Sequence, residues 1–146
     1  MPLQGEYEPP ARDWVRQEVD RILSTGTTDG TTMSGYAVVL VTTVGAQSGK
    51  LRKVPLIRVE HEDEYALIAS KGGAPDHPQW YYNVKANPHV ELQDGALTMD
   101  YLAREATGEE RDLWWHRATQ VYRDYTDYQA KTDRQIPVFV LTPMSS

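Results

Sequence analysis

The sequence predicts an α+β protein in which an antiparallel sheet curls into a small barrel and helices pack outside it. Six segments have the composition of strands and three have helical periodicity, and their order is not the strand–helix alternation of a parallel sheet. The length of 146 residues is typical of one domain, and 40% hydrophobic residues suffice for a core. We expect residues 31–146 to form the barrel and residues 1–30 to form a helix and loop that can act as a lid.

The first predicted element is a helix that begins near Pro10 and ends at Gly26. Proline suits a first helical turn, and glycine suits a C-terminal cap. Residues 25–34 are rich in Thr, Gly, Asp and Ser, which predicts a loop. Such a helix can pack on the core, cover a pocket or lie on a membrane surface. Its apolar residues recur at helical spacing: Ala11, Trp14, Val15, Val19, Ile22 and Leu23.

Three strands are predicted after this loop. The continuous Val and Leu residues of 36–43 predict a strand buried on both faces. Residues 51–59 predict a second strand, in which Pro55 marks an edge or a bulge. A charged turn at 61–64 then leads into a third strand at 65–70.

Three more strands and two helices are predicted in the second half of the chain. Residues 78–85 predict a short helix, and residues 89–93 and 97–104 predict a hairpin that turns at Asp94-Gly95. A last strand is predicted at 136–141.

A longer helix is predicted to start at Thr107, because Thr107 and Glu110 have the spacing of a capping box. Its apolar residues are expected on one face: Leu113, Trp114, Ala118, Val121 and Tyr122.

The composition excludes several classes of function. The chain has no cysteine, which rules out disulfides, thiolate nucleophiles and iron–sulfur clusters. The four histidines lack metal-ligand spacing, so we expect no metal site. A net charge of −6 argues against a nucleic-acid partner. Without cysteine or a signal-peptide pattern we expect a cytoplasmic protein, and the N-terminal helix leaves open a peripheral contact at the inner face of the membrane.

One window of the sequence is basic although the whole chain is acidic. Residues 31–59 contain four basic residues and no acid. The turn at 42–50 adds hydroxyl groups and glycines that free backbone amides, which is what a phosphate requires. The window therefore predicts a site for a small anionic ligand, and the alternative is a hairpin turn with solvated lysines. The basic residues are Lys50, Arg52, Lys53 and Arg58.

Two further windows carry candidate ligand-binding residues. Gly72 and Gly73 follow a strand and let the backbone approach a flat ligand, beside the charge of Lys71. Tyrosines at 122, 125 and 128 are spaced by three, which predicts one helical face whose phenols can bond a substrate oxygen or relay a proton. The alternatives are an ordinary loop and a half-buried helix face.

In these three windows together, the sequence resembles the deazaflavin-dependent nitroreductase family. That family uses coenzyme F420 and has a split β-barrel fold related to FMN-binding pyridoxamine-phosphate oxidases. The resemblance extends over about residues 36–143. The matching segments are Leu40–Arg52, Val54–Leu56, Ala69–Ala74, Trp80–Pro88, Asp127–Gln129 and Thr132–Pro137.

The resemblance implies an F420-dependent reductase that transfers a hydride from the reduced deazaflavin to a flat, hydrophobic, conjugated acceptor, such as a quinone, an enone or unsaturated lactone, or a nitroaromatic. It also implies the residues of the site. The coenzyme's phosphate and tail would contact Gln47, Ser48, Gly49, Lys50 and Arg52. The walls around the ring would be formed by Pro55, Leu56, Ile57, Arg58, Ala69, Ser70 and Lys71. Trp80 of the cofactor site and the catalytic candidates Tyr122, Tyr125 and Tyr128 match positions around the substrate pocket, with Ser70 or water as another proton source.

Two positions depart from the family pattern. The family often has a basic residue in place of Gln47, and its best-known nitroreductases carry Tyr in place of Ile57. Two other functions stay open, an FMN-dependent oxidoreductase of the same fold and a deazaflavin carrier without catalysis. Both a monomer and a homodimer are compatible with the sequence.

Overall fold

The computed structural model describes residues 3–33 and 35–144. Ser34, at the end of the predicted loop, lies outside the described residues, as do the two residues at each terminus. The helices are α1 (Asp13–Thr25), α2 (Gln79–Ala86), α3 (Gly108–Val121) and α4 (Asp124–Ala130). The strands are β1 (Thr32–Met33), β2 (Tyr36–Val44), β3 (Leu51–Ile57), β4 (Glu60–His61), β5 (Glu64–Ile68), β6 (His89–Asp94), β7 (Leu97–Glu105) and β8 (Val138–Pro143).

The strands form one curled antiparallel sheet in the order β1-β2-β6-β7-β8-β5-β4, and β3 pairs with the other edge of β2. The predicted α+β barrel with helices outside is therefore confirmed. The described residues contain eight strands instead of six, because β1 and β4 are two-residue strands in segments predicted as a loop and a turn. Pairs this short leave no periodic pattern in a sequence.

Three groups of buried side chains hold the helices to the sheet. The first fills the barrel interior, where Trp80 and Val84 of α2 meet strand residues such as Phe139. The second lies between the outer face of β5 and β8 and the helices α3 and α4. In the third, Val19 and Ile22 of α1 are fully buried against β2. The helix α1 therefore packs on the barrel.

Several predicted details of the helices are wrong. Pro10 lies outside the first turn, because Arg12 caps α1 and the helix begins at Asp13. Thr107 occupies the cap position of α3, but its side chain makes no cap hydrogen bond. The Glu110 carboxylate accepts from Arg104 Nη2 at 2.6 Å.

The buried face of α3 is also smaller than predicted. Leu113 and Val121 are exposed, whereas Trp114 and Ala118 are buried. The buried face includes an arginine, because the Arg111 guanidinium donates to the backbone oxygen of Ile136 at 2.6 Å.

The β6–β7 hairpin is confirmed, but its turn is shifted by one residue. Asp94 pairs with Leu97, so the turn residues are Gly95 and Ala96. Asp94 stays in the strand, where its carboxylate accepts from the Tyr65 hydroxyl at 2.5 Å and from Arg58 Nε at 2.8 Å.

No helix in the described ranges is both long and apolar enough to span a bilayer. Nor do residues 3–33 and 35–144 contain a cluster of three or more His, Asp or Glu able to hold a metal ion.

Candidate active site

A cavity of about 830 Å³ lies along the edge of β3 that faces away from β2. Among the described strands β3 pairs with β2 alone, and its other edge carries an isolated parallel bridge from Leu51 to Tyr7 at its first residue. Residues 52–57 line the cavity along this edge. The other walls come from residues 10–15, the segment after β5, helix α2 and the tyrosines around α4. The fold therefore leaves one strand edge open and encloses it with loops and helix ends.

The free edge of β3 offers backbone hydrogen-bonding groups to the cavity. Both backbone groups of Leu51 point away from β2. Its N–H donates to the backbone carbonyl of Glu6 at 2.8 Å, and its carbonyl accepts from the backbone N–H of Glu8 at 2.9 Å. Because backbone groups alternate along a strand, those of Lys53, Pro55 and Ile57 point the same way. Proline has no N–H to donate to a neighbouring strand, so Pro55 is tolerated at a position whose backbone groups point away from β2. This agrees with the predicted edge position of Pro55.

The cationic side chains of the basic window lie in three places: at the cavity, outside it, and, for Arg58, at a second cavity. Arg52 lines the cavity, where its guanidinium forms an ion pair with Glu8. Lys53 also lines the cavity, and its ammonium donates to Thr42 Oγ1 at 2.8 Å. Burial lowers the pKa of Lys53, and the charge of Glu91 opposes that shift. Lys50 lies outside and faces two glutamates at 3.8–3.9 Å.

The segment after β5 forms a strained turn at the cavity wall. Lys71, Gly72 and Gly73 all have positive φ, at 47°, 63° and 85°. Ser70, Lys71, Gly72 and Ala74 line the cavity, whereas Gly73 faces α4. Of the two glycines predicted to approach a flat ligand, Gly72 borders the cavity, whereas Gly73 permits the close approach of α4.

The three tyrosines of the predicted face all line the cavity, but they do not share one helix. The helix α3 ends at Val121, Tyr122 caps it in an extended conformation, and α4 begins at Asp124. The three rings nevertheless pack together, with centroids 4.9–6.3 Å apart. The three rings thus pack together across the break between the helices.

The Tyr122 and Tyr125 phenols are held in their neutral form, and Tyr122 is hydrogen-bonded to Tyr128. The Tyr122 and Tyr128 hydroxyls lie 2.8 Å apart. Burial raises the pKa of Tyr122, and the hydrogen bond with Tyr128 raises it further. Burial also raises the pKa of Tyr125. Protonated phenols are hydrogen-bond donors, so this wall can stabilise negative charge on a ligand oxygen.

Ten of the predicted site residues line the cavity, and six do not. The ten are Arg52, Pro55, Leu56, Ile57, Ser70, Lys71, Trp80, Tyr122, Tyr125 and Tyr128. Gln47, Ser48, Gly49 and Lys50 form the exposed turn before β3, where Ser48 Oγ accepts from the backbone of Lys50 at 3.1 Å. Arg58 instead borders a second cavity of about 520 Å³ with Asp94, and Ala69 is fully buried.

The predicted site omitted several residues that line the cavity. Asn83 is buried, and its side chain accepts from the backbone of Ala46 at 3.0 Å, which fixes the turn before β3 to α2. The only feature of the sequence that could have indicated Asn83 as a site residue was its position within the matching segment Trp80–Pro88. Trp14 and Val15 belonged to the predicted lid face, but Pro10 and its neighbours carried no signal.

The curled antiparallel sheet with flanking helices is a split-barrel fold, and a cavity borders an open edge of its strand β3. Residues 14–143 match the family model described as F420H2-dependent quinone reductase. The chain belongs to this family, and its cofactor is accordingly coenzyme F420. An F420H2-dependent quinone reductase of Mycobacterium tuberculosis strain H37Rv is 39% identical over 106 residues, which cover 70% of this chain and 71% of that protein.

Solved structures agree with this membership. A structure described as an F420-H2 dependent reductase is 57% identical, has a TM-score of 0.69 and covers 72% of this chain and 93% of its own. Another structure, described as a domain-swapped dimer, is 56% identical and has a TM-score of 0.73. The match covers 89% of this chain and 98% of that one. A Clostridium acetobutylicum protein of the pyridoxinephosphate oxidase family, 14% identical with a TM-score of 0.51, covers 87% and 82% and shares the fold alone.

Proposed function

We propose that the cavity along β3 binds F420H2 together with its electron acceptor. As a member of its family, the protein transfers a hydride from the reduced coenzyme to a quinone-like acceptor. The observation that supports this use of the cavity is the polarity along β3. Arg52 lies at one end of the strand, and Ile57 packs at the other end in a cluster with Tyr122 and Tyr125. Five residues of strand separate the two ends by about 16 Å.

The residues present fit this coenzyme. A deazaflavin is a flat ring joined to a long anionic tail, so it needs a flat wall, a cationic end and room for an elongated molecule. Sites for small ligands usually measure roughly 300–1,000 Å³, and this cavity measures about 830 Å³. Arg52 and Lys53 can hold the anionic tail, and the edge of β3 with Ser70 and Gly72 can border the ring.

When bound, the reduced deazaflavin supplies the hydride. The protein's own task is to exclude water, orient the acceptor and stabilise the negative charge that develops on the acceptor oxygen. Tyr125 is suited to that last role, because its neutral hydroxyl has no partner among the described residues. Ser70 lies on the same cavity and provides a second hydroxyl. The aromatic wall selects flat, conjugated acceptors.

The experiment compares coenzyme binding by the parent protein and by Arg52→Ala. Oxidised F420 is titrated into each protein and followed by absorbance and fluorescence, with FMN as a second titrant. Loss of a charge-assisted contact should raise the Kd for F420 by roughly 10- to 100-fold, and the loss should shrink as salt is raised. Arg104→Ala is the control, because Arg104 bonds Glu110 and Thr142 away from the cavity.

Equal F420 affinity in Arg52→Ala and the parent would remove Arg52 from the coenzyme site. Binding of FMN in place of F420 would contradict the assignment of the cavity. A steady-state assay with F420H2 and a panel of quinones, enones and nitroaromatics then identifies the acceptor class. A protein that binds F420H2 but oxidises it with none of them would be a carrier instead.

We further propose that the chain forms a homodimer. The support is the 56% identical relative described as a domain-swapped dimer, together with exposed apolar side chains on β7. These side chains are Leu97, Met99 and Leu102. Light scattering during gel filtration should give twice the chain mass, and Leu97→Asp should lower it. A monomer at all concentrations would overturn the proposal.

We also propose that α1 can contact a membrane through Trp14 or Leu23, which lie on opposite sides of the helix. Val19 and Ile22 are buried against the sheet, whereas Trp14 and Leu23 keep about half of their surface exposed, at 51% and 47%. Sedimentation with phosphatidylcholine vesicles should carry down the parent protein and less of a Trp14→Ser/Leu23→Ser variant. Equal recovery in the supernatant would remove the membrane contact.

A further inference from the structure

The segment Thr132–Pro137 matches the family pattern, yet none of its residues lines the cavity. Arg134 in this segment makes four hydrogen bonds through its guanidinium. Nε donates to the carbonyl of Ala74 at 3.0 Å, Nη1 to Ala69 at 3.1 Å and Nη2 to Ser70 at 2.8 Å. Nη1 also lies 3.0 Å from His77 Nδ1. One side chain therefore ties both ends of the turn at 69–74 together.

A guanidinium is well suited to this arrangement. It presents five N–H donors in a rigid plane and no acceptor, so it can bond several carbonyls at once. Arg134 forms no ion pair with a carboxylate in the described part of the chain, so its charge acts on carbonyl dipoles. Burial lowers the pKa of Arg134 from its ordinary value, and the charge of Asp76 opposes that shift. A lysine could not span the same three carbonyls, because its three donors radiate from one atom.

The turn held by Arg134 needs support from outside. The three consecutive residues from Lys71 to Gly73 have positive φ. In Lys71 this conformation is sterically strained, because it brings Cβ close to the backbone. Such a conformation persists only where surrounding groups determine it. The same turn provides Ser70, Lys71 and Gly72 to the cavity wall.

The Arg134 segment also fixes the helix that carries two of the tyrosines. Gln129 of α4 donates to the carbonyl of Arg134 at 2.7 Å and accepts from the N–H of Ile136 at 2.9 Å. On the other side of the turn, a Cβ added at Gly73 would meet the Tyr128 carbonyl at 2.8 Å. The turn and α4 are thus packed against each other and bonded to one segment.

We propose that Arg134 is a positioning residue for the cavity: it holds the turn at 69–74 in place and sets its distance from the tyrosines of α4. This inference rests on the proposed function in one respect, namely that the positioned wall belongs to the coenzyme site. Arg134 itself does not line the cavity. Its effect on binding is therefore carried by the backbone of the turn.

The first measurement is amide hydrogen exchange in the protein without coenzyme. The N–H groups of Gly73 and Ala74 bond to Ser70 and Lys71 within the turn, at 2.9 Å and 3.1 Å, and report whether the turn is ordered. Arg134→Ala should increase their exchange and leave the β6–β7 hairpin unchanged. Arg104→Ala, which removes an arginine that bonds Glu110 and Thr142, should change neither.

The second measurement is the Kd for F420. Misplacing the wall should raise it by roughly 10- to 100-fold in Arg134→Ala. Added guanidinium chloride should restore part of the affinity, whereas the same concentration of sodium chloride should not. Arg134→Lys keeps the charge but not the fork, so it should behave like Arg134→Ala. Because the lysine variant is the gentler change, it decides the question if the alanine variant does not fold.

Normal exchange at Gly73 and Ala74 in both variants would overturn the proposal. Increased exchange with an unchanged Kd would overturn it as well, because the turn would then not position the coenzyme. A parent protein that binds no F420 would instead contradict the proposed function, and the exchange result would still decide whether Arg134 holds the turn.

Discussion

The hydroxyl groups of Tyr122 and Tyr128 lie 2.8 Å apart, although Tyr122 ends one helix and Tyr128 belongs to the next. This hydrogen bond occupies two of the three phenols on the cavity wall. The third, Tyr125, packs its ring against Tyr122 at 4.9 Å and has no hydroxyl partner among the described residues. Tyr125 is therefore the phenol best placed to serve a ligand.

Tyr125→Phe should lower kcat more than it changes the Kd for F420. The change removes one hydroxyl and keeps the ring packing. A hydrogen bond that strengthens as charge develops contributes mainly to the transition state, and its loss should lower kcat by roughly 5- to 150-fold. Steady-state kinetics with F420H2 and one quinone acceptor give the answer. An unchanged kcat would show that Tyr125 only packs.

Controls for this measurement are available in the chain. Tyr82→Phe removes an exposed hydroxyl that does not line the cavity, and it should leave kcat unchanged. Tyr122→Phe and Tyr128→Phe break the same hydrogen bond, so their effects on stability should not add in the double variant.

Glu8→Gln should strengthen coenzyme binding. The carboxylate of Glu8 pairs with Arg52 and lies 3.8 Å from Lys50, so it competes with an anionic tail for these cations. An exposed ion pair of this kind contributes modestly, so the Kd for F420 should fall by roughly 1.5- to 5-fold at low salt. Glu6→Gln is the control, because Glu6 faces only Lys50, at 3.9 Å. A higher Kd in Glu8→Gln would mean that Glu8 orients Arg52 for the coenzyme.

Gly73→Ala should destabilise the fold more than Gly72→Ala does. Both glycines have positive φ, which costs an alanine about 1–2 kcal/mol. At Gly73 the new Cβ would also lie 2.8 Å from the Tyr128 carbonyl, whereas nothing lies within 4 Å at Gly72. The crowding should add about 1–3 kcal/mol. Urea unfolding measures both variants, and equal free energies of unfolding would contradict the close contact with α4.

Trp14→Ala should change the kinetics of the acceptor without weakening the fold. Trp14 is 51% exposed and lines the cavity, so it is the residue of α1 most suited to a lid. We expect an altered KM for the quinone and a change in stability within about 0.5 kcal/mol. Ile22→Ala is the contrasting variant: Ile22 is fully buried, so its loss should cost about 2–5 kcal/mol. An unchanged KM in Trp14→Ala would remove α1 from the acceptor site.

Acidification should destabilise the protein partly through His77. Desolvation lowers the pKa of His77 from its ordinary value of 6.5, and the charge of Arg134 lowers it further, while Glu105 and Asp76 oppose the shift. The unfolded chain therefore takes up this proton at a higher pH than the folded protein does.

The free energy of unfolding should accordingly decrease as the pH falls below 6.5. Once the pH is below the pKa of His77 in the folded protein, His77 should cause no further decrease. Urea unfolding between about pH 7 and about pH 5 tests this. His77→Gln should show a weaker pH dependence than the parent, and an identical dependence would contradict the role of His77.

Much of the fold could be predicted because its elements carry local signals. The continuous apolar residues of β2 indicated a strand buried on both faces, and Pro55 indicated an edge. The helix α1 ends at Thr25, and Gly26 caps it with a φ of 79°. Glycine adopts this left-handed conformation without steric cost, which is why Gly26 predicted the end of the helix. The turn of the β6–β7 hairpin lies one residue later than predicted, since Asp94 stays in β6 and pairs with Leu97. The partners of its side chain, Tyr65 and Arg58, are far away in sequence and leave no local signal.

The membership of the candidate site depended on contacts that no local pattern specifies. The sequence gives no means to distinguish the cationic residues of the basic window from one another. In the structure, Arg52 lines the cavity, Lys50 faces glutamates and Arg58 bonds Asp94. Only Arg52 lies within β3, because Lys50 precedes the strand and Arg58 follows it. The partners of all three come from other elements.

The sequence alone determined the α+β class, the family and the residue types of the site, because periodicity, turn chemistry and ordered motifs are properties of neighbouring residues. Only the tertiary structure decided that residues 10–15 border the cavity, that three tyrosines meet across a helix break and that Arg134 bonds three carbonyls of a turn some 60 residues away. These contacts depend on how the chain closes upon itself, and that closure is set by the packing of the whole core.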